Sequence, residues 1–154
     1  ILVGFRQIWL KFSALKADKM DEKILKFIRK MHLLSLAVLD DGKPYCASCF
    51  YAFDEENLAF IVAGGEQSAH VKAFLAEPGV AGTVALDTKV VGKIEGVQFR
   101  ALAAPATAQQ SKIYFARFPY ALAMNPSLYA LSLSWVKFTH NALGFGKKLI
   151  WQID

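Results

Sequence analysis

The stretch KFTHNALGFGKKLIW, residues 137–151, decides the fold of this chain. An apolar run breaks at His140-Asn141, passes two glycines and two lysines, and becomes apolar again. The stretch lacks the G-x-x-x-x-G-K-[ST] pattern of a phosphate-binding loop, and no strand–helix–strand unit surrounds it. Asn141 and the glycines instead supply a turn, so the sequence predicts a β-hairpin whose second strand begins at Lys147.

Lys147 has an unusual predicted position in that second strand. Because side chains alternate along a strand, Lys147 falls on the same face as Leu149, Trp151 and Ile153. A lysine among apolar side chains is costly unless it is paired or its ammonium group reaches solvent. Two interpretations stay open: a contact with an anionic ligand or a partner chain, or an inward charge that protects the strand from edge aggregation.

The rest of the chain predicts short strands joined by turns and a few short helices. Helices are predicted over residues 21–31, within 64–79, and over 108–118 up to Pro119. The predicted strands are LLSLAVLD, YCASCFYAF, LAFIVA, VAGTVAL, KIEGVQFRALAA, YALSLSWVKFT and KKLIWQI. Together these elements predict a small antiparallel barrel with helical crossovers.

The strand YALSLSWVKFT, which begins at Tyr129, shows regular alternation. Leu131, Leu133 and Trp135 fall on one face if the alternation continues without interruption. Ser132 and Ser134 fall on the other.

Composition limits the class of protein. The 154 residues predict one domain, and 55% apolar with 20% charged residues is a globular balance. The net charge of +5 favours an anionic ligand. The basic residues are scattered and no basic run is interleaved with aromatics, so we expect no nucleic-acid partner. No apolar run approaches the roughly 18 residues of a membrane helix, so we expect no membrane span.

The first nineteen residues differ from the rest. Their apolar residues recur at helical spacing: Ile1, Phe5, Ile8, Phe12 and Leu15. We interpret residues 1–19 as an upstream or cloning-derived extension with helical character, followed by a barrel domain over residues 20–154. The stripe favours docking on protein over lying on a membrane surface.

Cysteine and histidine residues predict no metal centre. Cys46 and Cys49 form a C-x-x-C pattern inside a predicted strand, where positions three apart point to opposite faces. No second Cys or His pair completes a zinc site, so both cysteines are interpreted as structural. His32 and His140 are isolated in sequence. We interpret His32 as a helix-end residue and His140 as a turn residue. With no disulfide framework, a reducing cytoplasm is expected.

The segment GGEQSAH, residues 64–70, leaves a strand through two glycines and enters a helix. Free backbone N–H groups at such a helix start attract anions, with Ser68 and His70 close by. A plain helix N-cap at Ser68 is the other interpretation, and the motif alone favours it.

These motifs, in order, resemble those of the FMN-binding split-barrel superfamily, typified by pyridoxamine-phosphate oxidase. The chain is most similar to the uncharacterised bacterial YhbP-like family, over about residues 21–152. The motifs that carry the resemblance are FYAFD (50–54), VAGTV (80–84), GVQF (96–99), RFP (117–119) and KFTHNALGFGKKLIW.

The resemblance implies a mainly β, antiparallel six-stranded Greek-key split barrel and a homodimer with FMN between the subunits. In the oxidases the second strand lines the flavin ring, and a Ser-Arg-Lys run after the third strand holds the phosphate. That run corresponds here to Ser68-Ala69-His70, so Ala69 stands in place of the arginine. The implied cofactor-binding residues are Ser48, Cys49, Phe50, Ala63, Gly64, Ser68, His70 and Lys147.

The resemblance therefore implies an FMN-binding protein that is an oxidoreductase of a small molecule, with unassigned catalytic residues. The substrate-binding residues of the oxidase do not carry over, so pyridoxamine phosphate oxidation is not predicted. The alternatives are a non-catalytic binding module on the same barrel, for haem or another ligand, and a cofactor-free structural dimer.

Overall fold

Seven antiparallel strands form the fold in the computed structural model, which describes residues 19–141, 144 and 147–153. The strands are β1 (Leu33–Asp40), β2 (Lys43–Asp54), β3 (Ala59–Gly64), β4 (Gly79–Ala85), β5 (Glu95–Pro105), β6 (Ser127–His140) and β7 (Lys148–Gln152). The helices are α1 (Glu22–Lys30), α2 (Ala69–Ala76) and α3 (Ala108–Arg117), with 3-10 turns at Val91–Lys93 and Pro119–Met124. The predicted helix within residues 1–19 lies outside the described residues, except for Lys19.

Six of these strands close into a barrel. The strand order is β3-β2-β1-β4-β5-β6-β7, and β3 also pairs with β6. Strand β6 pairs with β3 through residues 127–132 and with β7 through residues 135–139. The predicted mainly β, six-stranded antiparallel barrel is therefore confirmed, as is the hairpin that adds β7 to its side. The described helices include none that is long and apolar enough to cross a bilayer.

The barrel is split between β2 and β3. Strand β2 pairs with β1 through Lys43–Phe50 but with β3 only through Tyr51–Asp54. Strand β3 ends at Gly64, and the chain turns away into α2. The first half of β2 therefore has no β3 neighbour, which leaves an opening that we call the notch.

Two helices complete the core inside the barrel. Asp21 caps α1, because its side chain accepts a hydrogen bond from the Lys23 N–H. The Phe27 ring of α1 packs 5.4 Å from that of Phe138. The buried Tyr51 hydroxyl donates to the Ile28 carbonyl at 2.7 Å, which ties α1 to β2. Helix α2 adds Val71, Ala73 and Phe74 to the same core.

Helix α3 covers the outer side of the sheet at β2, β3 and β6. The apolar residues between the two layers include Ala52, Ile61, Tyr114 and Ala130. Thr107 and Gln110 form a capping box at the start of α3. The buried Gln110 amide also donates to Asp54 Oδ2 at 3.0 Å. Asp54, only 2% exposed, accepts a further bond from Asn57 Nδ2 at 2.8 Å.

The predicted alternation of β6 is wrong at Trp135. Arg100 of β5 pairs with Trp135, but the next residue, Ala101, pairs with Leu133. Ser134 is therefore the extra residue of a β-bulge, which reverses the alternation beyond it. Val136 and Phe138 point into the core instead, and Trp135 points outward.

Strand β7 follows the predicted alternation but starts one residue late. Trp151 is buried, and Leu149 and Ile153 are partly buried against the core. Lys147 lies before the strand rather than within it and is exposed. Its N–H donates to the Gly144 carbonyl at 3.1 Å, which closes a turn at the strand entry.

Candidate functional site

The notch opens where the β2–β3 ladder ends. The β2–β3 register pairs Tyr51 with Val62. The ladder ends there, so Ala63 and Gly64 extend beyond its last paired residues. The predicted site residues Ala63 and Gly64 therefore lie at the edge of the notch, and their joining with Ser48, Cys49 and Phe50 in one site stays a prediction.

Gly64 sits directly beneath the start of α2. A side-chain Cβ at Gly64 would lie 2.5 Å from Val71 Cγ2 and 3.4 Å from His70 Nε2. Only glycine allows the helix to pack this closely on the strand, and the His70 imidazole consequently covers Gly64. Partial burial lowers the pKa of His70 from its ordinary value, because desolvation disfavours the imidazolium form.

Ser68 occupies the N-cap position of α2 but does not cap the helix. Its hydroxyl donates to the Gly65 carbonyl at 2.6 Å and makes no side-chain bond to the helix backbone. Within the described chain, no acceptor meets the backbone N–H groups of Ala69, His70 or Val71. These donors point out of the helix start and are available to an anion.

Alternation along β2 divides the predicted ring-lining residues. Ser48 and Phe50 face outward, and the Phe50 side chain is 55% exposed. Cys49 is buried in the core, where burial raises the pKa of its thiol. Cys46 is exposed on the outer side, so the two cysteines lie on opposite faces as predicted.

Two further aromatic side chains join Phe50. The His32 imidazole stacks on the Phe50 ring at 5.8 Å between centroids and 14° between planes. The Phe118 ring meets Phe50 edge-on at 5.9 Å. We call His32, Phe50 and Phe118 the aromatic cluster.

The sequence analysis missed this cluster. It assigned His32 to a helix end, and no local pattern joins three residues so far apart in the chain. The available signal was the outward position of Phe50, since a large aromatic on a solvent-facing strand position calls for a partner.

Lys147 does not join the other predicted residues within one chain. Gly64 pairs with Ser127 at the start of β6, whereas Thr139 near its end pairs with Lys148. At about 3.3 Å per residue, the two positions are separated by roughly 40 Å of strand. A role of Lys147 at the notch stays a prediction and would require the notch of a second copy.

The described residues contain no group of three or more His, Cys, Asp or Glu side chains that could hold a metal ion. The chemistry available at the notch is therefore that of N–H donors, one hydroxyl, one imidazole and outward aromatic surface. This set suits binding of an anionic group beside a planar ring.

The fold places the chain among the split-barrel proteins. A haem-binding protein of Mycobacterium smegmatis superposes with a TM-score of 0.67 at 14% identity, covering 79% of this chain but 53% of the other. Campylobacter jejuni ChuZ superposes with a TM-score of 0.68 at 13% identity, covering 90% of this chain and 65% of the other. A NimC/NimA family protein of Clostridium acetobutylicum superposes with a TM-score of 0.65 at 11% identity, covering 86% of this chain and 91% of the other. At these identities the likeness establishes the fold alone.

Sequence relatives identify the family. A UPF0306 protein of Campylobacter jejuni is 46% identical over 131 residues, covering 84% of this chain and 96% of the relative. A UPF0306 protein of Yersinia pseudotuberculosis is 39% identical over 132 residues, covering 83% and 90%. The chain belongs to the UPF0306 family. No family model matches it.

Proposed function

We propose that this protein binds FMN at the notch. The observation that carries the proposal is the start of α2, where the N–H groups of Ala69, His70 and Val71 have no acceptor within the described chain and Ser68 and His70 lie in the same segment. A phosphate is the anion that such a helix start favours, because the backbone donors and the helix dipole both act on it.

The flavin ring would lie along the outward face of β2. Ser48 offers a hydroxyl and Phe50 an exposed aromatic ring there, one strand away from Gly64. Unlike a Ser-Arg-Lys run, this chain places Ala69 between Ser68 and His70. Backbone N–H groups and His70 must therefore supply most of the phosphate binding.

A bound flavin would supply the redox chemistry, so the protein would act as an oxidoreductase of a small molecule. The residues of the notch would bind and orient the cofactor. Phosphate binding would also favour the protonated form of His70, because a nearby anion raises the pKa of an imidazole. Binding of FMN should therefore be accompanied by proton uptake near neutral pH.

Titration of the purified protein with FMN and with riboflavin tests this proposal. The parent protein should prefer FMN, because only FMN carries the phosphate. In the Ser68→Ala/His70→Ala double variant, each lost charge-assisted bond should weaken FMN binding by about 1.5–3 kcal/mol, with little effect on riboflavin. The exposed Gln67→Ala variant is the control. A double variant that still prefers FMN as strongly as the parent would refute the assignment.

Haem is the second candidate, and the aromatic cluster favours it. His32 is exposed, and its imidazole makes no hydrogen bond to other described residues. An imidazole beside aromatic surface is a suitable ligand for the iron of a flat, apolar porphyrin. Two structural neighbours bear names that refer to haem, a binding protein of Mycobacterium smegmatis and HutZ of Vibrio cholerae.

Haemin titration separates the two candidates. If haem is the ligand, a Soret band should appear with a shift typical of histidine ligation, and His32→Ala should abolish that shift. The Ser68→Ala/His70→Ala variant should leave it unchanged. A protein that binds neither FMN nor haemin would support the remaining alternative, a cofactor-free structural dimer.

A further inference from the structure

Arg117, the last residue of α3, contacts each of the three chain segments that carry the aromatic cluster. Its Nη2 group donates to the Met31 carbonyl at 2.7 Å, in the segment that leads into His32. Its guanidinium carbon lies 5.9 Å from the centre of the ring of Tyr51, the residue that follows the cluster's phenylalanine in β2. The same atom lies 5.8 Å from the centre of the Phe118 ring, which is itself part of the cluster. Both ring distances are within the range of a cation–π contact.

The backbone at His32 is fixed from two directions. The last carbonyl groups of a helix have no partner within it, and at the end of α1 side chains from other elements supply the donors. The Tyr51 hydroxyl donates to the Ile28 carbonyl, and Arg117 Nη1 donates to the Arg29 carbonyl at 3.4 Å. The Tyr51 N–H donates to the His32 carbonyl at 2.9 Å. The segment that carries His32 is therefore tied both to α3 and to β2.

The charge of Arg117 is not used in an ion pair. Arg117 is exposed, and it forms no salt bridge with another described residue. A basic residue in the last turn of a helix ordinarily interacts with the dipole of its own helix. Here the guanidinium instead donates to carbonyl groups at the end of a different helix. Its planar fork of N–H groups allows two such bonds at once, which the single ammonium group of a lysine reproduces poorly.

We propose that Arg117 is the positioning residue of the aromatic cluster. It holds His32 and Phe118 against Phe50, so that the cluster receives the planar ring of a bound ligand. The inference rests on the proposed function, in which the flavin ring lies along the outward face of β2. Binding is tighter when such side chains are already held in place, because ordering them on binding costs free energy. Three rings from three distant segments need a common support, and Arg117 contacts all three segments.

The ligand-free protein provides the first test. Nuclear Overhauser contacts should join the His32 and Phe50 rings and the Phe50 and Phe118 rings in the parent. Arg117→Met keeps a side chain of moderate length but removes the donors, and it should lose these contacts while the far-ultraviolet circular dichroism stays unchanged. Arg117→Lys keeps the charge without the fork and should show the same loss, which preserves the test should Arg117→Met not fold.

Arg29→Met is the matched control. It removes a guanidinium at the same end of α1, together with ion pairs to Glu22 and Glu55. The Arg29 side chain makes none of the contacts described above, which involve only its backbone carbonyl. The ring contacts of the aromatic cluster should therefore persist in Arg29→Met.

Riboflavin binding provides the second test, because riboflavin has the ring of FMN without the phosphate. Phe50→Ala should weaken riboflavin binding by about tenfold, through loss of an aromatic contact with the ring. Arg117→Met should weaken it to a similar extent in the parent but by less than about twofold in the Phe50→Ala background, because it acts through the cluster. A general loss of stability would instead have its full effect in both backgrounds.

Two results would overturn the inference: ring contacts that persist in Arg117→Met and Arg117→Lys, or equal effects of Arg117→Met in the two backgrounds. A parent that binds neither riboflavin nor FMN would refute the proposed function instead. The ring contacts of the ligand-free protein would then decide the role of Arg117 by themselves.

Discussion

The two outer sides of the barrel differ in how the surface of the sheet is covered. On the β2–β3–β6 side, α3 covers Ala52, Ile61 and Ala130, and Tyr114 fills the space between the layers. On the β1–β4 side, the outward side chains of Ser35, Ala81 and Thr83 are exposed. Within the described chain, only the first side is covered by a helix.

The covered side also contains a buried polar network that the bare side lacks. Asp54 receives hydrogen bonds from Asn57 and Gln110, and Gln110 caps α3 together with Thr107. Such a network fixes one position of a helix, because any shift leaves buried polar groups without partners.

The largest expected effect is a loss of stability from a substitution between β1 and β4. A Cβ at Gly82 would lie 2.4 Å from Phe99 Cζ and 2.5 Å from the Ser35 carbonyl oxygen. Because the backbone of β1 cannot move aside, Gly82→Ala should destabilise the protein by about 3 kcal/mol in chemical denaturation. Gly79→Ala in the same strand meets nothing within 4 Å and is the control. Equal midpoints for the two variants would show that β1 and β4 are not packed as described.

The second largest expected effect is a loss of stability on the side that α3 covers. Asp54→Ala removes the acceptor for the Gln110 and Asn57 amides and leaves buried donors unpaired. We expect a loss of about 2 kcal/mol in the free energy of unfolding. Hydrogen exchange should show the loosening first in α3. Asp87→Ala, at an exposed position, should cost under about 0.5 kcal/mol. Retention of full stability by Asp54→Ala would mean that packing alone holds α3 in place.

The smallest expected effect is a change in the pH dependence of stability caused by His70 at the notch. Burial lowers the pKa of His70 in the folded state, so the unfolded chain binds its proton more readily. The stability contributed by neutral His70 is therefore fully present above pH 6.5, its ordinary pKa, and is lost as the pH falls from there through the lower pKa of the folded state. His70→Gln should flatten this part of the stability profile in denaturation series between about pH 5 and pH 8. An unchanged profile would assign the pH dependence to other groups.

Sequence reasoning predicted the fold well because the strands are short, alternate regularly and are separated by turn residues. It placed every described strand within a few residues and failed at Trp135, because one extra residue in β6 reverses the alternation without a compositional signal. It grouped Gly64 with Ser68 and His70 because these are neighbours in sequence, and His70 lies beside Gly64 in the structure. The aromatic cluster and the position of Lys147 depend on strand pairing, which no local pattern contains.

Closure of the barrel through β3 and β6 has a consequence for how the chain is made. Ala59 pairs with Ser132, so the closing ladder joins segments about 70 residues apart, and such pairings form late. During synthesis, β3 leaves the ribosome with an open apolar edge long before β6 can cover it. Helix α3 precedes β6 in the chain and packs on Ile61 of β3. It can therefore cover this apolar surface of β3 until β6 and β7 are synthesised.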